Sequence, residues 1–251
     1  MPSPAKQPQR HEPDEEDFAV PIGPMSFEEF LAFDEASDRP HEFVDGFAYA
    51  MSPVRRRHSV ITGNISARVW MAARRARCQA YQEPFQVRTP DGRAYCPDVT
   101  ASCGRRPADD DTYLEDPCLI VEVLSRGTAR IDHGEKRVSY QKIRALQAYL
   151  VVESTWRAVH RHHRDARGRW RRELIAGQDA VVPFPCPGDG PLALTLDQIY
   201  EGLDLPNEPP HRPQLRRVRE PAGEYVTTAE GGYEWVEHAD EDDAAAAPGD
   251  A

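Results

Sequence analysis

Apolar positions along this chain keep two different periods, and the switches between them outline a fold. Between Arg57 and Ala76 the residues Ile61, Ile65, Val69 and then Ala72 or Ala73 share one helical stripe, with Arg68, Arg74 and Arg75 turned elsewhere. Ser26-Phe27-Glu28-Glu29 has the spacing of a capping box and predicts a short helix with Phe27, Phe30 and Leu31 on its apolar side. Asp45-Gly46 suits a tight turn, so Glu42 to Tyr49 reads as a hairpin. Strands are expected at 79–88, 94–101 and 118–125, the first two separated by Pro90-Asp91-Gly92, with a polar loop over 104–116. A helix follows from Asp132 to about Leu146, then a buried strand at Tyr149 to Val152. A second hairpin spans Trp156 to Ile175 around Asp165-Ala166-Arg167-Gly168, and a small last helix begins near Thr195. This order predicts an α/β fold (mixed α+β), a sheet flanked by helices.

The ends break the pattern. Residues 1–24 are rich in Pro, Gln and Glu without apolar period. Residues 206–251 open with Pro206, Pro209, Pro210 and Pro213, turn acidic and finish in an alanine-rich run. Both segments are expected to lack regular structure, which leaves 25–205 as one folded domain. The net charge of −11 is a property of the last segment. Glu220 to Ala251 holds ten acids and no Lys or Arg, so it carries −10 and leaves −1 for everything before it. Acidity therefore does not exclude a polyanionic partner for the folded part. The 5 cysteines are odd in number and form no C-x-x-C pair, which favours buried thiols in a reducing cytoplasm over a disulfide framework or a zinc site. No stretch approaches 18 apolar residues and no signal-like apolar segment opens the chain, so neither membrane spanning nor secretion is expected.

Within this frame three residues carry chemistry. Glu122 interrupts the apolar run Leu119-Ile120-Val121-Glu122-Val123, where a charge is costly unless it is paired or holds a cation. Asp98 opens another apolar strand candidate directly after Pro97. Lys136 is one of only three lysines, with Lys6 and Lys142, among 31 basic residues. A chain that writes arginine almost everywhere keeps a compact ammonium here, and an ammonium is not interchangeable with a guanidinium fork. Two hard oxygen ligands and a lysine are the parts needed to hold Mg²⁺ (or Mn²⁺) against a phosphate and neutralise the charge of its displacement.

These residues, in order with His41-Glu42-Phe43-Val44-Asp45-Gly46, Met51-Ser52-Pro53 and His58, Pro97-Asp98-Val99, Glu122-Val123-Leu124-Ser125, and Asp132 with Lys136 and Tyr140, resemble the PD-(D/E)xK nuclease superfamily. More closely they resemble its bacterial Uma-two family, from about Ser26 to Leu203. The resemblance implies a restriction-endonuclease-like core, a central mixed β-sheet flanked by helices with an extra β-hairpin. It also implies a divalent metal and hydrolysis of DNA phosphodiester bonds. Asp98, Glu122 and Lys136 would be catalytic. The metal would be held by Asp98, Glu122, the Val123 backbone carbonyl and, more remotely, Glu42. The superfamily's usual lysine position, two after Glu122, is Leu124 here; Lys136 on the following helix matches instead, on one face with Asp132 and Tyr140.

Each supporting residue also has a plain structural reading. Asp132 with Glu135 resembles a helix cap, Tyr140 a core tyrosine, Glu42 a hairpin-edge charge and His58 a helix-start residue. His160, His162 and His163, interleaved with arginines and without an acidic neighbour in sequence, read as the solvated face of a hairpin. Its arginines (157, 161, 164, 167, 169, 171, 172) are candidates for phosphate contacts. The expected partner is DNA and no membrane, and a homodimer is compatible with the sequence. The rival reading is a catalytically silent nucleic-acid-binding or regulatory protein on the same scaffold.

Overall fold

The computed structural model describes residues 21–82, 84–125, 131–185 and 192–210, with the backbone of 223–227 and 233–237. The capping box forms as expected: Glu29 N–H donates to Ser26 Oγ (3.2 Å) and Ser26 N–H to Glu29 Oε2 (2.7 Å). It opens α1 (Phe27–Glu35), which buries Phe27 and Phe30 against Phe43. Phe43 belongs to β1 (His41–Val44), and β2 (Phe47–Ala50) follows through Asp45 and Gly46. Both turn residues have positive φ (52° and 88°), as a two-residue hairpin turn requires. The predicted long helix is α2 (Arg56–Arg75), burying Ile61, Ile65, Val69 and Ala73.

Two predicted strands each divide between two sheets. The run 79–88 becomes β3 (Gln79–Gln82) and β4 (Gln86–Arg88), and 94–101 becomes β5 (Ala94–Tyr95) and β6 (Val99–Ser102). Pro84 and Pro97 stand at the breaks, where the missing N–H and the restricted preceding residue end a ladder. The first sheet has the order β2-β1-β5-β4-β7, closed by β7 (Tyr113–Leu114), a two-residue strand inside the expected loop, too short for any period to reveal. The second has the order β11-β10-β9-β8-β6-β3, with β8 (Leu119–Val123), β9 (Ala148–Val152), β10 (Ala158–Arg164) and β11 (Trp170–Ala176). In it β8 and β9 run parallel, with Glu122 opposite Val151, while the other pairs are antiparallel.

Every residue of β8 and β9 is buried, which is why both read as continuous apolar runs. One face of the sheet, with Val99, Leu119, Val121 and Leu150, packs on the α2 stripe. The other, with Ile120, Leu124, Tyr149 and Val151, packs on Tyr95, Tyr140, Ile143 and Leu146. The helix expected from Asp132 to Leu146 is shorter: a π-helical turn (Asp132–Lys136), then α3 (Arg137–Tyr140), then tight turns. Further on, β12 (Val181–Phe184) and β13 (Leu192–Thr195) form a hairpin that leads into α4 (Leu196–Ile199), capped by Thr195 and tied to α2 through Asn64.

One expectation is corrected. Cys78 and Cys103 form a disulfide, because Gln79 pairs with Ser102 and so sets the preceding and following residues across the strand ends with Cα atoms 4.2 Å apart. Cys118 Sγ lies 3.8 Å from Cys103 Sγ, and Cys96 is buried, its Sγ donating to the His41 carbonyl (3.6 Å). Near the end of the expected domain Leu205 is buried and Arg157 N–H donates to the Pro206 carbonyl (2.8 Å). Within the acidic end, Gly223–Thr227 (β14) and Tyr233–Glu237 (β15) pair as an antiparallel hairpin, Tyr225 opposite Trp235. Residues 1–20 lie outside the described residues, whereas Ile22 bridges to Ala48. Among the described residues no helix is long and apolar enough to cross a membrane.

Asp91, in the turn between β4 and β5, pins α3 from outside. Its carboxylate accepts from Ser139 Oγ (3.0 Å), Lys142 Nζ (2.7 Å) and Thr89 Oγ1 (2.6 Å). Partial burial pushes its pKa up, but Lys142, Thr89 and Ser139 outweigh burial and hold it down at about 2. Its contribution to stability is present above the ordinary value of 3.8 and is lost as pH falls toward 2. Asp91→Asn is expected to lower the melting temperature at neutral pH by a few degrees, from ~1 kcal/mol of lost interaction. It should also flatten the decline between pH 4 and 2 that thermal melts of the parent protein show. Parallel melting curves for the two proteins across that window would remove this role.

Candidate active site

The site forms where the two sheets and the π-helical turn meet. On β8, Glu122 shares a face with Ile120 and Leu124 and lies under Tyr140. The register Val99–Val121 brings Asp98, one residue before β6, alongside the end of β8. Val123 N–H donates to Asp98 Oδ2 at 2.6 Å. The N–H and carbonyl of a strand residue leave the same edge, so the Val123 carbonyl also points to the Asp98 side. The other Asp98 oxygen, Oδ1, lies 3.1 Å from His58 Nε2 in the first turn of α2.

Lys136 is the hub. Its ammonium is almost wholly buried and lies 2.7 Å from Glu42 Oε1, 3.1 Å from Glu122 Oε1 and 3.4 Å from Asp132 Oδ1. It stands 5.6 Å from the centre of the Tyr95 ring. Tyr140 donates to the same Glu122 oxygen at 3.1 Å, so Asp132, Lys136 and Tyr140 do present one face to Glu122. Cys96 N–H donates to Glu42 Oε1 (3.2 Å), and Tyr149 Oη to the Asp132 carbonyl (2.9 Å).

Several plain readings give way. Asp132 is not a cap: it is the buried first residue of the π-helical turn, its side chain turned to Lys136, and Ile131 is the capping position. Glu42 leaves the hairpin edge to reach Lys136, and His58 is paired with Asp98. The histidines of β10 are not a solvated face. His162 is buried with its ring 5.9 Å from that of Tyr149, and burial, with Arg137 and Arg172 nearby, pushes it down to about 4. His160 Nε2 lies 3.2 Å from Glu153 Oε1, an acidic partner that the sequence order concealed. Sequence reasoning also missed Tyr95 and Tyr149 as walls of the site, since aromatic residues in strands give no signal beyond core packing.

The electrostatics are unbalanced. Glu42, Asp98, Glu122 and Asp132 surround one lysine and one histidine. Burial drives the Glu122 carboxyl well above the usual carboxylate range; Lys136 opposes that, while Asp132, Asp98 and Glu42 add to it. Burial alone would depress Lys136, but Glu122, Glu42 and Asp132 outweigh it and hold the ammonium protonated well above its ordinary range. An excess of hard carboxylate oxygens in one buried cluster is a donor set suited to Mg²⁺ or Mn²⁺, so these residues fit the divalent cation that the resemblance implies.

The comparisons with known proteins bear on the family and the fold. Residues 27–189 match the model of the Uma2 family, described as "Putative restriction endonuclease". An uncharacterized protein of Synechocystis is 32% identical over 186 residues, covering 74% of this chain and 96% of its own length. A second from the same organism is 23% identical over 159 residues, covering 62% and 90%. The crystal structure of a protein from Anabaena variabilis, described as a "putative nuclease belonging to DUF820", superposes with a TM-score of 0.60 at 18% identity. That match covers 70% of this chain and 98% of the other, and shows a shared fold with a restriction-endonuclease-like core. A match over well over half of the chain, carrying Glu42, Asp98, Glu122 and Lys136 inside it, places this protein in the Uma2 family.

Proposed function

We propose that this protein is a metal-dependent endonuclease that hydrolyses DNA phosphodiester bonds. The observation that carries the reading is the buried Lys136 ammonium shared by Glu42, Glu122 and Asp132 beside Asp98. Asp98, Glu122 and the Val123 carbonyl, with Glu42, would hold Mg²⁺ or Mn²⁺. Bound there, the cation would supply a water of lowered pKa and polarise the scissile phosphate. Val123 N–H and His58 orient the two Asp98 oxygens toward that position. Tyr140 holds Glu122, and Lys136 stabilises the charge that develops on the phosphate or orients the attacking water. The burial of the site keeps these interactions strong by excluding bulk water.

The test is plasmid cleavage alongside calorimetric Mn²⁺ titration. Asp98→Ala and Glu122→Ala are expected to lose metal binding and cleavage together. Lys136→Ala should cut at least about 100-fold more slowly yet bind Mn²⁺ as well or better, since a cation beside the metal is gone. Lys136→Arg should not restore the rate. Undiminished cleavage by Lys136→Ala would overturn the reading.

Stability supplies an independent check. Removing Lys136 leaves three carboxylates without their cation, a loss of about 3–5 kcal/mol for a buried charge set. In chelator, Lys136→Ala should melt well below the parent protein. Saturating Mn²⁺ should raise its melting temperature by more than it raises the parent's, and equal increments would show that the carboxylates do not share the metal. His58→Ala should weaken Mn²⁺ binding about 10–100-fold by releasing Asp98, measured in the same titration.

A further inference from the structure

We infer that His133, Glu153 and His160 form a second cation site, for a borderline divalent metal of the Zn²⁺ class, separate from the acidic centre around Lys136. The three residues come from three elements. His133 is the second residue of the π-helical turn, Glu153 directly follows β9, and His160 lies on β10. One ligand atom of each lies within 4.8 Å of the other two. Glu153 Oε1 and His160 Nε2 are 3.2 Å apart, and the two imidazole rings meet edge to face with centroids 4.6 Å apart. Ligands about 2.0–2.2 Å from a tetrahedral Zn²⁺ are separated by a little over 3 Å. The glutamate–histidine pair already has that spacing, and a small closure of His133 completes it.

The ligand types choose the metal. Two imidazoles and one carboxylate suit Zn²⁺ and its neighbours, not Mg²⁺, which prefers oxygen. All three residues are half-buried. His160 Nδ1 is buried and makes no hydrogen bond among the described residues, and Nε2 donates to the Glu153 carboxylate, so a metal at Nε2 takes the place of that proton. Against the site stands the positive charge of Arg172, which acts on His133, offset by Glu153 and Asp132.

The position gives the site a consequence. His133 adjoins Asp132 and lies three residues before Lys136 on the same turn, while Glu153 follows Val152, the β9 partner of Val123. A metal here would fasten the turn that carries Lys136 to the sheet that carries Glu122. The inference does not depend on the nuclease reading, because its test measures metal binding and melting rather than cleavage.

The experiment uses the full chain freed of metal by chelation. Zn²⁺ is titrated calorimetrically and by thermal melting into the parent protein, His133→Ala, Glu153→Gln, His160→Gln and Asp98→Ala, with Mg²⁺ as a comparison and circular dichroism to confirm folding. Co²⁺ absorption separates nitrogen and oxygen ligation from thiolate ligation. The expected result is one Zn²⁺ per chain retained in Asp98→Ala and weakened at least tenfold in Glu153→Gln and His160→Gln. The melting temperature of the parent should rise by about 5–10 °C at a hundredfold excess over Kd. Absence of Zn²⁺ binding, binding unchanged in the folded histidine and Glu153 variants, loss of Zn²⁺ in Asp98→Ala, or a thiolate spectrum with Co²⁺ would each overturn it. Should His133→Ala fail to fold, the near-isosteric Glu153→Gln decides.

Discussion

The rest of the site depends on one ammonium buried among three carboxylates. Lys136 Nζ contacts Glu42 from the first sheet, Glu122 from the second and Asp132 from its own turn, so one cation joins three elements that share no backbone hydrogen bonds in one ladder. None of these groups would tolerate burial alone, since an unpaired charge in such a place costs several kcal/mol. Each is therefore fixed by the others, and their geometry is set before any substrate arrives. Tyr140 and Cys96 N–H add the hydrogen bonds that keep Glu122 and Glu42 from swinging away.

The same set is also incomplete. Lys136 and His58 do not balance Glu42, Asp98, Glu122 and Asp132, and the raised Glu122 carboxyl is the physical sign of that deficit. A divalent cation would relieve it, and the relief would be greatest where Glu122 and Asp98 lie nearest. A structural ion pair selected only for stability would be matched charge for charge. The surplus of acids over bases argues for a site that waits for positive charge.

How much of this was legible in the sequence follows from what each residue's neighbours reveal. Glu122 stood out because β8 is buried on both faces and tolerates no idle charge. Lys136 stood out against a background of arginine, and its spacing to Asp132 and Tyr140 survived the change from α- to π-helical winding. The site's walls did not show, because Tyr95 and Tyr149 are residue types that any core uses. Nor did the handover of strands between sheets, since a run such as 94–101 keeps its apolar character while Pro97 moves it from one ladder to another. His133, Glu153 and His160 were hidden for a related reason. They are 20 and 7 residues apart on separate elements, and only the antiparallel register of β9 and β10, Val152 opposite Val159, sets Glu153 beside His160.

The two prolines explain why the acids meet at all. Glu42 belongs to the first sheet and Glu122 to the second, and the runs 79–88 and 94–101 join the two. By ending both strands at Pro84 and Pro97, the chain passes from one sheet to the other twice in succession. The second passage leaves Cys96, Pro97 and Asp98 at the junction, free of ladder pairing among themselves. Cys96 N–H then turns to Glu42 on one side, and the Asp98 carboxylate takes the Val123 N–H on the other. Asp98 thus replaces a backbone acceptor at the end of β8, which holds a carboxylate beside Glu122 with the rigidity of a ladder hydrogen bond rather than that of a loop side chain.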